Sequence, residues 1–368
     1  MTGMRIGIIG CGNISPAYLN YLQDSSIVKV TALADMLPEK AAERAKEYEI
    51  ERVYTVEEML QSPDIDIILN LTIPASHAAI NIAALEHGKH VYAEKPLSIS
   101  LEDAKHTLAL AEAKQLRVGC APDTFLGAGM ETSRKAIQEG QIGRPIAATA
   151  FMMGEGPEGW HPNPEFFYAE GGGPMFDMGP YYLTALVNLL GPITRLSSSA
   201  ASLIPERIVK TGPRAGTRIP VHTPTHFSGT LDFADGAIGT LVTSFDIPGG
   251  STLPRIEIYG TEGSLLVPDP NYFDGVVKIR KYGSEEWSTV PPAFTGAANE
   301  RGKGIEDMAR AILEHREHRA SGKLAYHVLE AMHAFIASSN EGRHIHLESA
   351  AALPLEAAFR SSVKAVLV

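Results

Sequence analysis

The N-terminal third of this chain alternates short apolar runs with segments of helical periodicity. The apolar runs predict strands over residues 5–9, 27–34, 65–71, 90–93 and 116–119. Helical patterns separate them over residues 14–23, 38–48, 76–86 and 101–114. Continuous apolar strands that alternate with helices are typical of a parallel sheet covered on both faces. The pattern therefore predicts an α/β, doubly wound domain.

The pattern changes near residue 122. A predicted helix over residues 128–139 precedes period-two strands over residues 145–153, 227–233, 237–245, 255–259, 264–267 and 276–282. Neighbouring strands without intervening helices predict a large, mostly antiparallel open sheet. Two late helices, over residues 304–318 and 324–340, are expected to pack on the first domain. We therefore predict domains over residues 1–121 and 122–340, and a tail over 341–368 that packs back on the first domain.

Composition excludes several classes of partner. The 368 residues carry a formal net charge of −11, which disfavours nucleic acid and anionic membrane surfaces because both attract clustered Lys and Arg. No apolar run approaches the ~20 residues that span a bilayer, and the N-terminus lacks a signal-peptide pattern. The two cysteines, Cys11 and Cys120, predict a reducing, cytoplasmic setting with both thiols buried. The histidines show no HExxH-like spacing, so no metal site is predicted.

A glycine-rich turn follows the first predicted strand, with the sequence Gly10-Cys11-Gly12-Asn13-Ile14-Ser15. Gly10 permits a tight turn, and Gly12 lets the backbone approach a pyrophosphate. The start of the next helix offers N–H groups to the phosphates. The turn predicts a dinucleotide site at Gly10, Gly12, Asn13 and Ile14, although Ser15 replaces the third glycine of the strict pattern. A glycine-rich turn without a ligand is the alternative.

Asp35 ends the second predicted strand, where a carboxylate can accept hydrogen bonds from the adenosine ribose. It would repel a 2′-phosphate, and no Arg follows it. NAD is therefore favoured over NADP. The alternative is a helix N-cap ahead of Pro38.

Two further strand ends carry polar groups: Thr72-Ile73-Pro74 and Glu94-Lys95-Pro96. Ligands of open parallel sheets bind at the carboxyl ends of the strands. A partly buried lysine at this edge can hydrogen-bond a substrate hydroxyl and move its proton. Lys95 is therefore the predicted catalytic group, against the alternative of a surface lysine.

Three glycines at residues 171–173 precede a predicted helix that begins near Asp177. Asp177 and Tyr181 are four residues apart, so both would project from one helix face. A carboxylate can orient a sugar hydroxyl, and a phenol can exchange a proton. An N-capping Asp177 and a core Tyr181 remain the alternative.

These segments together resemble the glucose–fructose oxidoreductase/inositol dehydrogenase (Gfo/Idh/MocA) family over nearly the whole chain. The motifs are Gly10-Cys11-Gly12, Thr72-Ile73-Pro74 with His77, Gly88-Lys89-His90, Glu94-Lys95-Pro96, residues 171–182 and Arg301-Gly302. The resemblance implies a Rossmann domain that binds NAD(P), and a second α/β domain for substrate binding and oligomerisation. It also implies a homodimer or homotetramer formed through the open sheet, and a cofactor site that includes Thr72, Pro74, His77, Glu94 and Lys95.

The resemblance further implies hydride transfer at a hydroxyl-bearing carbon of a sugar or cyclitol, with Lys95 and Asp177 in the site. The family pattern has His four residues beyond the Asp, where this chain has Tyr181. An unperturbed Tyr has a pKa near 10 against about 6.5 for His, so the role of Tyr181 as a base is open. It either replaces the His beside a positive charge or shapes the pocket.

Other side chains are candidates for the substrate site. Trp160 can stack on a sugar ring or anchor a loop in the core. His161 is a candidate substitute base, and Asp123 follows the last strand of the first domain.

The sequence leaves three possible functions open. The leading hypothesis is an NAD-dependent dehydrogenase that acts on a secondary alcohol of a polyhydroxylated small molecule. The second is a redox-neutral enzyme that oxidises the sugar transiently to allow epimerisation, elimination or glycoside cleavage. The third is a non-catalytic nucleotide sensor.

Overall fold

The computed structural model describes residues 3–353. The chain divides into two compact units. One holds the described residues through Leu126 together with Ala297–Leu329, and the other holds Gly127–Gly296 and the described residues from Glu330 onward.

The first unit contains a six-stranded parallel sheet. Its strands are β1 Met4–Ile9, β2 Val28–Ala34, β3 Arg52–Val53, β4 Ile67–Asn70, β5 His90–Ala93 and β6 Val118–Cys120. The connecting helices are α1 Ser15–Leu22, α2 Pro38–Glu47, α3 Val56–Gln61, α4 His77–Glu86 and α5 Leu101–Ala113. The strand order is β3-β2-β1-β4-β5-β6, and every pair is parallel. The prediction of a doubly wound parallel sheet is confirmed.

The apolar strands form the core of this unit because both faces of the sheet are covered. Ile6, Ile8, Ile67 and Ile68 have no exposed surface. The strand order reverses between β1 and β4, and such switch points form the ligand crevice of open α/β sheets. The segments after β1, β4 and β5 therefore meet at one edge.

The second unit is built on a nine-stranded sheet in the order β16-β15-β14-β13-β7-β12-β11-β8-β17. Its strands are β7 Pro145–Met153, β8 Ile193–Ala201, β11 His226–Phe233, β12 Ile238–Ser244, β13 Ile256–Gly260, β14 Gly263–Val267, β15 Lys278–Lys281, β16 Ser288–Thr289 and β17 Ile345–His346. A separate antiparallel ribbon pairs β9 Glu206–Ile208 with β10 Arg218–Pro220. The helices are α6 Ala128–Gln138, α7 Gly173–Asp177 and α8 Gly179–Leu190. The large sheet is antiparallel except where β12 runs parallel to β7, which confirms a mostly antiparallel sheet.

Period-two burial distinguishes the two faces of this sheet. In β11, Phe227 and Leu231 are buried whereas Ser228 and Thr230 are exposed. In β12, Ile238 is 57% exposed on the open face. Strand β8 was not predicted because its run of three serines has little strand propensity.

The last elements are α9 Lys303–Leu313, α10 Gly322–Glu341 and β17 Ile345–His346. Helix α9 lies in the first unit, as expected, and the boundary between the units falls within α10. Strand β17 pairs with β8, and the Leu347 N–H donates to the Thr194 carbonyl at 3.0 Å. The described part of the tail therefore extends the second unit's sheet instead of packing on the first domain, because the edge of β8 offers unpaired backbone groups. Residues 354–368 lie outside the described residues. Within the described part, no helix combines the length and apolar character needed to cross a membrane.

Candidate functional site

The glycine turn lies directly beyond β1, against the end of β4. Gly10 has φ +103°, and a Cβ there would lie 2.6 Å from the Leu71 carbonyl carbon, so only glycine fits. A Cβ on Gly12 would meet none of the described atoms within 4 Å, which leaves open space beside its backbone. Within the described chain, the start of α1 has no side-chain cap at Ile14. Open space and an uncapped helix start fit a bound pyrophosphate.

Ser15 and Asp35 hold this turn in place. The Ser15 hydroxyl is buried and donates to the Gly12 carbonyl at 2.8 Å. Asp35 follows β2 and accepts from the Cys11 N–H at 2.8 Å and the Leu37 N–H at 2.9 Å, one bond to each carboxylate oxygen. A carboxylate has about four acceptor positions, so capacity for ribose hydroxyls remains.

The segment after β4 is held by buried polar groups. Asn70 Oδ1 accepts from the Thr72 N–H at 3.2 Å and the Thr72 hydroxyl at 2.7 Å. His77 is fully buried, with Nδ1 2.6 Å from the Pro96 carbonyl and Nε2 3.0 Å from the Thr72 carbonyl. Burial lowers the pKa of His77, although these two carbonyls oppose the shift. His77 therefore ties together the two loops that begin at Thr72 and Lys95 through its ring nitrogens, and its place in the cofactor site stays a prediction.

Glu94 and Lys95 follow β5 at the same edge. The Glu94 N–H donates to the Asn70 carbonyl at 2.9 Å, which extends the β4–β5 ladder by one residue. Glu94 Oε1 accepts from the Tyr18 hydroxyl at 2.7 Å, and Oε2 accepts from the Lys95 N–H at 2.9 Å. Lys95 is half-buried. The structure thus brings Gly10, Gly12, Asp35, Thr72 and Lys95 to one edge of one sheet.

Asp123 has a different role from the one predicted. It is 1% exposed, and its Oδ2 accepts from the Gly302 N–H at 3.0 Å and the Gly304 N–H at 2.9 Å. Burial raises its pKa to about 6, and the two backbone bonds only partly offset this effect. Asp123 therefore caps α9 and is not exposed to a substrate. The prediction of a substrate ligand failed because the partners of Asp123 are distant in sequence.

Asp177 and Tyr181 lie on two consecutive short helices of the second unit. Helix α7 ends at Asp177 instead of beginning there, and α8 starts at Gly179. Pro180 has no N–H to continue the first helix, so the ladder restarts. Asp177 is half-buried, and Tyr181, in the first turn of α8, is 8% exposed.

Trp160 and His161 belong to a loop with exposed aromatic rings. Trp160 is 66% and Phe166 is 53% exposed, and the His161 ring lies between them with its centroid 5.5 Å and 5.3 Å from theirs. The His161 Nδ1 accepts from the Asn163 N–H at 3.1 Å, which leaves Nε2 as the proton-bearing nitrogen in the neutral ring. Trp160 is thus not the core anchor that the sequence left as an alternative.

A buried ionic cluster supports this loop, and sequence reasoning missed it. Arg207 contacts Glu158 at 3.4 Å and is hydrogen-bonded to Asp246. The Tyr168 hydroxyl donates to Glu158, and Thr225 donates to Asp246 at 2.8 Å. Burial raises the pKa of Tyr168, so its hydroxyl stays protonated. No sequence pattern marked this cluster, because Glu158, Arg207 and Asp246 lie far apart in the chain.

Both cysteines are buried thiols, as predicted. Burial raises the pKa of Cys11 to about 12, and it also raises the pKa of Cys120. Neither thiol has the properties of a nucleophile. Among residues 3–353, no three His, Cys, Asp or Glu side chains are grouped to hold a metal ion.

Comparison with protein families decides the relationship. Residues 4–121 match the family model described as "Oxidoreductase family, NAD-binding Rossmann fold", and residues 130–266 match the "GFO/IDH/MocA C-terminal domain". The chain belongs to the Gfo/Idh/MocA oxidoreductase family. The resemblance seen in the sequence is confirmed, and the chain is an oxidoreductase with an NAD-binding Rossmann domain.

Curated Gfo/Idh/MocA relatives include three sugar or cyclitol enzymes. The dTDP-3,4-didehydro-2,6-dideoxy-alpha-D-glucose 3-reductase of Saccharopolyspora spinosa is 34% identical over 84% of this chain and 91% of its own. The 1,5-anhydro-D-fructose reductase of Ensifer adhaerens is 29% identical over 71% and 75%. The scyllo-inositol 2-dehydrogenase (NAD(+)) of Bacillus subtilis (strain 168) is 28% identical over 72% and 73%.

Solved structures share the fold. A levoglucosan dehydrogenase in complex with NADH and L-sorbose superposes with a TM-score of 0.81, at 22% identity over 95% of this chain and 100% of that one. An NAD-binding oxidoreductase from Klebsiella pneumoniae gives 0.80 at 20% identity, over 94% of this chain and 99% of that one. The likeness covers nearly all of both chains and confirms the α/β fold.

Proposed function

We propose that this oxidoreductase catalyses NAD-dependent hydride transfer at a secondary alcohol of a sugar, sugar derivative or cyclitol. The proposal rests mainly on the position of Lys95. Its backbone N–H is hydrogen-bonded to the Glu94 carboxylate, at the same sheet edge where Gly12 leaves room for a pyrophosphate. An amine held beside a cofactor edge is suited to a proton transfer that accompanies a change at carbon.

The first unit supplies the proposed cofactor site. Gly10, Gly12, Asn13 and Ile14 would hold the pyrophosphate, and Asp35 would hold the adenosine ribose. Thr72, Pro74, Glu94 and Lys95 line the part of the edge beyond the switch point. When bound, NAD would supply the hydride acceptor for oxidation, and NADH would supply the hydride donor for reduction. The open space at Gly12 and the remaining acceptor capacity of Asp35 support this assignment.

Lys95 is the proposed proton-handling group. Its ε-amine would hydrogen-bond the substrate oxygen, take its proton in the oxidation direction and return it in reduction. Glu94 and the β4–β5 ladder fix the backbone at this position, which lowers the entropy cost of placing the Lys95 side chain at a substrate.

The second unit supplies the proposed substrate contacts. Asp177 would orient a sugar hydroxyl, and Tyr181 would contribute its phenol on the next turn. Trp160 presents an exposed indole, which suits stacking on a pyranose or cyclitol ring, and His161 would donate from Nε2. The relatives' names support a polyhydroxylated ring as the substrate.

We also propose that copies of the chain associate through the open face of the nine-stranded sheet as a homodimer or homotetramer. The exposed Ile238 and hydroxyl contacts such as Ser197–Thr230 at 2.8 Å give that face a mixed, flat surface. Light scattering of the purified protein would give the mass, and Ile238→Lys should lower it if this face is the interface. The buried thiols support a reducing, cytoplasmic location.

The experiment is a panel assay that follows the absorbance of reduced nicotinamide. Levoglucosan, myo-inositol, scyllo-inositol and D-apiose are offered with NAD, and 1,5-anhydro-D-fructose is offered with NADH. We expect turnover of at least one compound, and loss of that turnover in Lys95→Ala. Consumption of a compound without net NADH formation would favour redox-neutral chemistry instead. If the protein binds NADH tightly but converts none of these compounds, the result would contradict a sugar or cyclitol substrate.

A further inference from the structure

We propose that Tyr18, in the helix that follows the glycine turn, is a positioning residue for Lys95 and acts through Glu94. The inference rests on the proposed role of Lys95 as the proton-handling group. It adds a residue that none of the sequence motifs marks as functional.

Tyr18 is completely buried, and its hydroxyl donates to Glu94 Oε1 at 2.7 Å. Burial, and next the negative charge of Glu94, raise the pKa of Tyr18, so the hydroxyl keeps its proton and acts as the donor. A hydrogen bond to a carboxylate is stronger than one between neutral groups. The side chain of Tyr18 therefore fixes one oxygen of Glu94.

The other oxygen of Glu94 is bonded to the next residue. Oε2 accepts from the Lys95 N–H at 2.9 Å, while the Glu94 N–H is bonded to the Asn70 carbonyl at 2.9 Å. With its backbone and both carboxylate oxygens engaged, Glu94 has one orientation. The direction in which the chain leaves β5 at Lys95 depends on that orientation.

This arrangement connects two parts of the proposed cofactor site within the first unit. Helix α1 begins at the glycine turn, and Tyr18 lies one turn into it. A single buried hydroxyl thus links the phosphate-binding helix to the lysine loop. Loss of this hydroxyl would leave the apolar packing of the ring intact but release the carboxylate.

The chain offers a matched control in Tyr92. This residue is also fully buried and lies on β5, two positions before Glu94. Its hydroxyl has no hydrogen-bond partner among the described residues. Tyr18→Phe and Tyr92→Phe therefore remove the same atom from the same unit, and only the first removal breaks a link to Glu94.

The first readout is amide hydrogen exchange of the protein without substrate. In Tyr18→Phe we expect the Lys95 amide to exchange at least about tenfold faster, while amides of β4 keep their wild-type rates. Tyr92→Phe should leave the Lys95 amide unchanged. Uniformly faster exchange across the first unit, or an unchanged Lys95 amide, would overturn the proposal. This result is independent of the substrate, so it stands even if the sugar panel fails.

The second readout is catalytic, with the panel compound from the assay above and NAD. Tyr18→Phe should lower kcat by about tenfold or more with KM and the Kd for NADH changed less than about twofold, because the lysine is misplaced but binding groups remain. Glu94→Gln, which cannot offer two acceptor oxygens, should also lower kcat. Equal kcat values in Tyr18→Phe and Tyr92→Phe would overturn the positioning role. A rise in KM or Kd without a fall in kcat would also overturn it.

Discussion

The buried carboxylate of Asp123 makes a pH-dependent stability prediction. Its pKa is raised from 3.8 to about 6, chiefly by burial, even though it accepts two N–H bonds at the start of α9. A raised carboxyl pKa means that the folded chain binds a proton more tightly than the unfolded chain does. Asp123 therefore lowers the stability as pH rises from about 4 to about 6, and the loss persists above that range.

The magnitude follows from the size of the shift. A change of about 2 pKa units, at 1.36 kcal/mol per unit, corresponds to roughly 3 kcal/mol at neutral pH. Asp123→Asn keeps an oxygen for the Gly302 and Gly304 N–H groups but has no charge to bury. We expect the variant to be more stable than the wild type by a value approaching this figure above pH ~6.5, and equally stable below pH ~3.5.

Urea unfolding followed by fluorescence from about pH 3 to 8 would measure this difference. Asp123→Ala provides the control, since it removes the cap as well as the charge and should destabilise α9 even at low pH. A constant difference between Asp123→Asn and the wild type at every pH would refute the reasoning. A less stable Asn variant at pH 8 would show that the charge stabilises α9 more than its burial costs.

Three further predictions concern the cofactor, the lysine and the ionic cluster. Asp35 should make NADP bind more weakly than NAD by more than about 1 kcal/mol in calorimetry, because its charge repels a 2′-phosphate. Lys95→Ala should lower kcat about 10²–10⁴-fold with an unchanged NADH affinity in fluorescence titration, since the amine acts on a proton. Arg207→Met should cost about 3–5 kcal/mol in denaturant unfolding, since Glu158 and Asp246 would be buried without their cation.

Each of these predictions has a contrary outcome. Equal or tighter binding of NADP would exclude a role for Asp35 in cofactor choice. The control is Asp35→Ser, which should reduce the difference in binding free energy between NAD and NADP. Near wild-type turnover of Lys95→Ala would exclude the lysine from the mechanism. Arg195→Met, which removes a half-exposed partner of Asp232, is the control for the ionic cluster and should change stability by less than about 1 kcal/mol. Equal losses in the two Arg variants would contradict the argument from burial.

The parts of the fold that depend on local sequence were predictable. Most positions in the parallel strands of the first unit are apolar, and Gly10 must be a glycine because its φ is positive and a Cβ there would collide with Leu71. Strand β8 was missed because its stability depends on distant partners. The Ser198 N–H donates to the Ser338 hydroxyl at 2.9 Å, and the Ala200 N–H donates to the Ser339 hydroxyl at 2.9 Å. Serine hydroxyls of α10 therefore accept hydrogen bonds from the backbone of this serine-rich strand.

The same distinction applies to the predicted site residues. Motif spacing places Glu94 and Lys95 at a strand end, because the strand itself fixes their position. It does not reveal whether a polar side chain turns toward solvent or toward the protein. The His77 ring turns inward toward the carbonyls of Thr72 and Pro96. The Asp123 carboxylate turns inward toward backbone N–H groups that lie some 180 residues away in sequence.

Tyr181 gives the remaining prediction, because it stands where the family pattern has His. The structure places it in the first turn of α8, with its N–H bonded to the Met178 carbonyl at 3.1 Å and its side chain 8% exposed. If the hydroxyl takes part in proton transfer, Tyr181→Phe should slow single-turnover hydride transfer by about tenfold or more with little change in KM. If Tyr181 only shapes the pocket, Phe should change KM and leave the hydride step as it is.

The pH profile of Tyr181→His adds a test that packing alone cannot satisfy. An imidazole loses its proton near pH 6.5 and a phenol near 10, so a proton role predicts that the rate of the His variant levels off about 3–4 pH units lower than that of the wild type. We expect partial activity in Tyr181→His and a measurable loss in Tyr181→Phe, because a phenol and an imidazole can both exchange a proton whereas a phenyl ring cannot. Tyr182→Phe, on the same helix and also buried, is the control. Identical pH profiles and hydride rates in all four proteins would assign Tyr181 to the pocket wall and leave Lys95, with His161 as the candidate helper, to move the proton.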